Sequence, residues 1–323
     1  MMFNRTAILL LCTALAAGSV IPGCSACSRN LDGASSISYA QVGDPDDYVP
    51  DLPSSSLPDG WEESSAPEPE SEPALDLPAL AMSADFLAIG KLSNEPVKWG
   101  PGTIQDDLGR STACTGLQDR FGKYNACFIG AENEKTIALT FDQGYENGYT
   151  TPILDTLKEK GVRAVFFLTG HYVRSQPELV QRMIDEGHIL GNHSDSHKVY
   201  CKDLSIEDSA ADAIWMQNYL RENFGYEMRL FRFPEGEFSE QSLALMQQMG
   251  YKSLFWSFAY NDWDPNNQPD PAAARARIEK FLHPGEIMLL HSVSATNAQI
   301  LPEVIDLIRE KGYTIGPHSD WAV

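Results

Sequence analysis

From Lys135 onward the chain alternates between short runs of consecutive apolar residues and longer stretches whose apolar residues recur at helical spacing. The short runs fall at 136–142, 163–168, 188–191, 229–232, 252–257, 286–291 and 312–316. Each reads as a buried strand. Helical patterns fill the gaps. Ser175-Gln-Pro-Glu178 reads as a helix start with Pro near the first turn, and that helix is expected to end near Glu186-Gly187. Ser205-Ile-Glu-Asp208 opens the next helix as a capping box, and Lys311-Gly312 closes the last. A succession of seven βα-type units implies a parallel sheet covered by helices.

Chemically active residues sit where the predicted strands end: Asp142, His193, Arg232, His291, and Asp262 just beyond one of them. Barrel enzymes place their sites at that end. The expected fold is therefore α/β, an irregular (β/α)7 barrel over 135–323. A doubly wound open sheet is the competing architecture. Residues 81–134 are less regular and read as an N-terminal extension packed on the barrel.

The pattern is different before residue 81. Arg5 is followed by an apolar run from Ala7 to Ala17, short for a membrane span and of the length of a signal-peptide core. Val20-Ile-Pro-Gly-Cys24 resembles a bacterial lipoprotein processing site, which makes 1–23 a signal peptide and Cys24 the lipidated residue. Ala14-Leu-Ala16 offers plain cleavage as the alternative. Residues 24–80 are rich in Pro, Ser, Asp and Glu. Within 28–80, twelve acidic residues face one basic residue. Such a composition buries too little apolar surface to offset its ordering entropy, and it reads as a disordered, solvated linker.

The whole chain of 323 residues carries a formal charge of −21, which argues against nucleic acid as a partner. Six cysteines include Cys12 in the leader and Cys24 and Cys27 near its end. Cys114, Cys127 and Cys201 remain, and an exported protein permits a disulfide. Cys114–Cys127 is the local candidate.

Taken singly, the candidate residues say little. His193 and His197 stand four apart, a spacing that one turn of helix would place on one face toward a metal, but surface histidines share it. Asp142 alone could be a helix cap and His291 a core histidine. Their joint placement at strand ends, however, is the parts list of a metal-assisted hydrolase.

In order along the chain stand Thr140-Phe-Asp-Gln-Gly144, His193-Ser-Asp-Ser-His197, Arg232-Phe-Pro-Glu-Gly236, Asp262-Trp263 and Leu289-Leu-His291. This series resembles the five motifs of the polysaccharide deacetylases, carbohydrate esterase family 4, also called the NodB homology domain. Phe141-Asp-Gln-Gly-Tyr-Glu-Asn-Gly-Tyr149, Asp262-Trp-Asp-Pro-Asn-Asn-Gln268 and Leu290-His-Ser-Val-Ser-Ala-Thr-Asn-Ala298 look like the delta-lactam-biosynthetic de-N-acetylases within it. The resemblance implies hydrolysis of the N-acetyl group of peptidoglycan amino sugars, with N-acetylmuramic acid favoured, on the route to muramic δ-lactam. It makes Asp142 the general base, His291 the general acid, and Arg232 and Asp262 their respective partners. It assigns His193 and His197 to a divalent metal, with zinc, cobalt, manganese and magnesium all open. It places the N–H of Glu235 at the oxyanion and Leu289 at the acetyl methyl. Trp263, Tyr145 and Tyr149 are candidate sugar platforms.

One position departs from the family pattern. Gln143 stands where typical members have a second Asp that ligates the metal, and an amide oxygen is a weaker ligand. Phe233 replaces a common proline, with only local packing expected to change. Deacetylation of N-acetylglucosamine or O-acetyl polysaccharide is the alternative within the same chemistry. A tethered carbohydrate-binding protein without catalysis is the alternative outside it. The reading implies peptidoglycan strands as partner, a lipid anchor in the bacterial cell envelope, and a monomer.

Overall fold

In the computed structural model, residues 84–318 and Trp321 are described. The signal peptide, Cys24 and the acidic linker lie outside the described residues. Among the described residues, ten strands form in chain order: β1 Val97–Lys98, β2 Ala126–Cys127, β3 Thr136–Gln143, β4 Val165–Leu168, β5 Ile189–Asn192, β6 Leu230–Phe231, β7 Glu237–Phe238, β8 Lys252–Leu254, β9 Glu286–His291 and β10 Thr314–Ile315. Every sequence-read strand has its counterpart, several of them shorter than the apolar run that signalled them. The run 229–232 yields a strand of two residues, and 252–257 stops pairing as a strand at Leu254.

The sheet order is β10-β3-β4-β5-β6-β8-β2, with β9 on β3, and every pairing within it is parallel. The sheet curls back on itself. Beyond β8 the chain continues to Phe258, which bridges Met288 of β9 in parallel register. Ser257 and Phe258 donate their N–H groups to Ile287 O, and Leu289 N–H donates to Phe258 O. This closure is what a barrel requires and an open doubly wound sheet lacks.

The strands run apolar because both faces are covered. Every residue of β4 and β5 is buried, as is β3 from Ile137 onward. Outside lie the helices Thr150–Lys160, Pro177–Asp185, Ile206–Phe224, Glu240–Gln248, Pro271–Phe281 and Ala295–Glu310. Ser205 caps Ile206–Phe224 by accepting the Asp208 N–H. The helix start read at Ser175 moves. Ser175 ends the short helix Gly170–Ser175, and Pro177 opens the next at its first position, where a missing N–H costs nothing.

Residues ahead of Lys135 are tied in. β2 adds to the sheet beside β8, β1 pairs antiparallel with β7, and Trp99 donates its indole N–H to Trp256 O at 3.1 Å. Cys114 and Cys127 are not joined to each other. The Cys114 thiol is directed at Trp256 O and that of Cys127 at Ile129 O, so the expected clip gives way to separate thiols packed in the core. Among the described residues, no helix is long and apolar enough to cross a membrane.

Candidate active site

Parallel register brings the two ends of the proposed chemistry together: Asp142 of β3 stands opposite His291 of β9. Asp142 Oδ1 accepts from Arg232 Nη1 at 2.8 Å. Arg232 is fully buried, and four of its five guanidinium N–H groups are paired. Nε donates to Leu254 O, Nη2 to Phe255 O, and Nη1 also to Thr140 Oγ1, while the plane lies 4.1 Å over the Phe167 ring. A lysine could not make this fan of contacts. Burial pushes the Asp142 carboxyl upward, but Arg232, His193 and His291 outweigh it and hold the group below the usual carboxylate range.

His291 is arranged as the opposite case. Its Nδ1 lies 2.7 Å from Asp262 Oδ1, and its backbone N–H donates to Asp262 Oδ2 at 2.8 Å. Burial favours the neutral ring, yet the Asp262 carboxylate prevails and raises the imidazole above its ordinary value. Asn297 fixes this carboxylate. Its Nδ2 donates to Asp262 Oδ2 and to His291 O, and Tyr260 hydroxyl donates to its Oδ1. Asn297 stood in a quoted motif without a role, and Tyr260 was not singled out. Neither carries a signal that pattern alone could read, because their partners lie 35 and 37 residues apart.

His193 and His197 come together in a loop, not on a helix turn as their spacing suggested. No helix forms between β5 and Tyr200. Their rings stand edge to face with centroids 4.9 Å apart. His193 Nδ1 pairs with Arg232 O at 2.9 Å, which places its proton there and leaves Nε2 as a lone-pair donor, 3.5 Å from Asp142 Oδ2. Burial lowers both rings, His197 to about 3, so both are neutral, as metal ligands must be. Gln143 is fully buried; its Nε2 donates to Ser292 Oγ at 2.6 Å and its Oε1 has no hydrogen-bond partner. Two neutral imidazoles that meet edge to face, with an unpartnered buried amide oxygen on Gln143 at the end of β3, are a donor set that fits a divalent cation. Among the described residues no three His, Cys, Asp or Glu side chains form a metal-holding set, so the donors are short of a further charge.

Among the described residues, four non-glycine residues adopt positive φ, and three belong to these motifs: Ser194 at 69°, His197 at 53° and Glu235 at 57°. Such backbone costs roughly 1–3 kcal/mol each and concentrates where function over-determines it. Phe233, in the place of a family proline, packs among Tyr200, Phe231, Phe238 and Phe255. Leu289, Trp263 and His291 line one cleft together with Tyr260 and the Gly100–Gly102 segment. Tyr145 is 43% exposed and does not line this cleft.

A carboxylate held below its usual range and an imidazole held above its own, facing each other across adjacent strand ends of a curled parallel sheet, suit the acid–base chemistry of a hydrolase. The sequence profile of the polysaccharide deacetylases matches residues 130–254. PdaA of Bacillus subtilis, a peptidoglycan-N-acetylmuramic acid deacetylase, is 40% identical over 234 residues, spanning 70% of this chain and 86% of the relative. Its solved structure, a family 4 carbohydrate esterase, aligns with a TM-score of 0.66 at 39% identity, over 70% of this chain and 96% of that one. A peptidoglycan-N-acetylglucosamine deacetylase of Bacillus cereus is 31% identical over 211 residues, 64% of this chain and 74% of its own. The chain belongs to the polysaccharide deacetylase family.

Proposed function

We propose that this protein removes the N-acetyl group from peptidoglycan amino sugars, with N-acetylmuramic acid preferred, and so frees the amine needed for muramic δ-lactam. The observation that carries the reading is the pairing of Asp142 with Arg232 and of His291 with Asp262 across β3 and β9. The substrate assignment rests on the likeness to the muramic acid deacetylase over most of the barrel.

Asp142, ionised, takes the proton of the attacking water, while Arg232 fixes its orientation. The N–H of Glu235, held in a left-handed turn, donates to the oxygen that becomes negative. His291 delivers its proton to the departing amine, and Asp262 keeps it loaded until then. Leu289 receives the acetyl methyl and Trp263 the sugar ring, both in the cleft beside His291. Tyr145 offers an outer platform for the strand. His193 and His197 would hold a divalent cation with Gln143 at the third position, and such an ion acidifies water and polarises a carbonyl.

The site of action is the cell envelope. Cys24 would carry the lipid, 24–80 would act as tether, and the barrel would work as a monomer on glycan strands.

The test is mass spectrometry of glycan strands, with and without stem peptides, after incubation with the full chain and with an Asp142→Asn variant. Loss of acetyl from muramic acid, absent with the variant, supports the reading. Loss from glucosamine alone keeps the mechanism and overturns the substrate. Strands bound but unchanged would establish a binding protein.

A further inference from the structure

The loop carrying His193 and His197 is gripped from outside the site by one carboxylate, Asp212, on the helix Ile206–Phe224. Its Oδ1 accepts the Asp195 N–H at 2.9 Å and the Tyr200 hydroxyl at 2.7 Å. Its Oδ2 accepts the Ser196 N–H at 3.0 Å and the Ser196 hydroxyl at 2.6 Å. Four donors from the stretch around the two histidines thus converge on a single side chain.

The loop needs such a grip. Ser194 and His197 are both left-handed without being glycine, a conformation that persists only where the surroundings over-determine it. Inside the loop, Ser194 N–H donates to Asn192 Oδ1 and His197 N–H to Ser194 Oγ. Against it lies Gly170, whose N–H donates to Ser194 O. A β-carbon at Gly170 would fall 1.8 Å from Asp195 Oδ1, so only glycine lets the loop seat there. Arg174 adds an ion pair to Asp195 at 2.7 Å and rests over Trp215, three residues along the helix from Asp212.

We propose that Asp212 is a positioning residue for the metal site: it sets the His193–His197 loop in its ligating shape before the cation arrives. The proposal rests on the metal-assisted reading above and explains how that site can manage with Gln143. An amide oxygen brings no charge to the third position. Holding capacity must then come from ligands whose ordering is already complete, since a preformed site spends no binding energy on fixing its loop. Asp212 touches neither substrate nor ligand ring, and it acts only through the loop.

The test compares full-length wild type with Asp212→Asn and Ser196→Ala, the second removing one exposed hydroxyl donor and leaving the core untouched. Zinc affinity is read by competition with a chromophoric chelator, thermal unfolding is followed without metal, and kcat and KM are measured across zinc concentrations. Asp212→Asn is expected to weaken zinc binding by about 10–100-fold, the usual penalty for losing an outer-shell partner. Ser196→Ala should weaken it less, and saturating zinc should restore kcat in both. Zinc affinity of Asp212→Asn within twofold of wild type overturns the proposal, as does a lowered melting point with unchanged affinity. A wild type that takes up none of zinc, cobalt, manganese or magnesium overturns this proposal and the metal reading together, while acetyl release abolished by Asp142→Asn would leave the deacetylase reading standing.

Discussion

The two ends of the barrel hold the same residue types in opposite states. At the rim, Asp142 is kept ionised and His291 protonated, each by an opposite charge at hydrogen-bond distance. At the base, Glu286 and His283 are more deeply buried, and there burial wins. It raises the Glu286 carboxyl well above its ordinary value and lowers His283 to about 4. The His283 ring bonds Ser257 Oγ and Phe281 O, both at 2.8 Å, and Glu286 Oε2 stands farther off, 3.4 Å from its Nδ1. A buried histidine beside a buried acid is thus not in itself a site. The difference lies in a charged partner for each group and an opening onto a cleft, which His291 has at 25% side-chain exposure.

The largest effect should come from removing the base. Asp142→Asn is expected to lower acetate release by about 10²–10⁴-fold with the fold retained. An unchanged rate would mean that the rim is no more reactive than the base. Next comes the partner. Arg232→Met leaves the Asp142 charge buried without compensation and should reduce stability by about 3–5 kcal/mol in denaturant titrations.

Glu286→Gln should behave differently, with an effect that depends on pH. Unfolded, this carboxyl titrates near about 4.3; folded, it holds its proton to a much higher pH. Its contribution is therefore complete below the unfolded value and is lost as pH rises toward the folded one. The variant lacks that slope. Its melting point should match wild type near pH 4.5 and gain on it by pH 8, with activity unaffected; a variant that loses ground as pH rises would reverse the assignment. The smallest effect concerns the thiols. Since Cys114 and Cys127 are not joined, reductant should leave the melting point in place, and Cys114, pushed up to about 12 by burial, should resist alkylation in the native protein. A drop in melting point on reduction would restore the disulfide.

The central strands were legible because burial on both faces writes them as apolar runs, and those runs ended at the residues that matter; β10, with Thr314 exposed and Ile315 half-buried, is not such a strand. Strand lengths were not legible, since β6 and β10 depend on which carbonyls their neighbours present. That Asp142, Arg232, Asp262 and His291 meet at one rim was legible from ordered motifs. The loop shape of His193–His197 was not, because spacing reports separation along the chain, while the left-handed φ at Ser194 and His197 goes with contacts from Asp212 and Gly170 that spacing does not show. Asn297 and Tyr260 were missed as actors for the same reason. Their contribution exists only where Asp262 is folded against them.

The most direct test of the account is the pH dependence of kcat/KM for wild type and Asp262→Asn. Asp262 holds His291, the general acid of the proposed mechanism, above its ordinary range, so wild type should stay active past neutrality and fall as pH rises through that raised value. Without the carboxylate, burial favours the neutral ring, and the alkaline limb should move to lower pH while the acid limb, set by Asp142, stays in place. Identical alkaline limbs in the two proteins would contradict the claim that this charge pair makes the rim reactive.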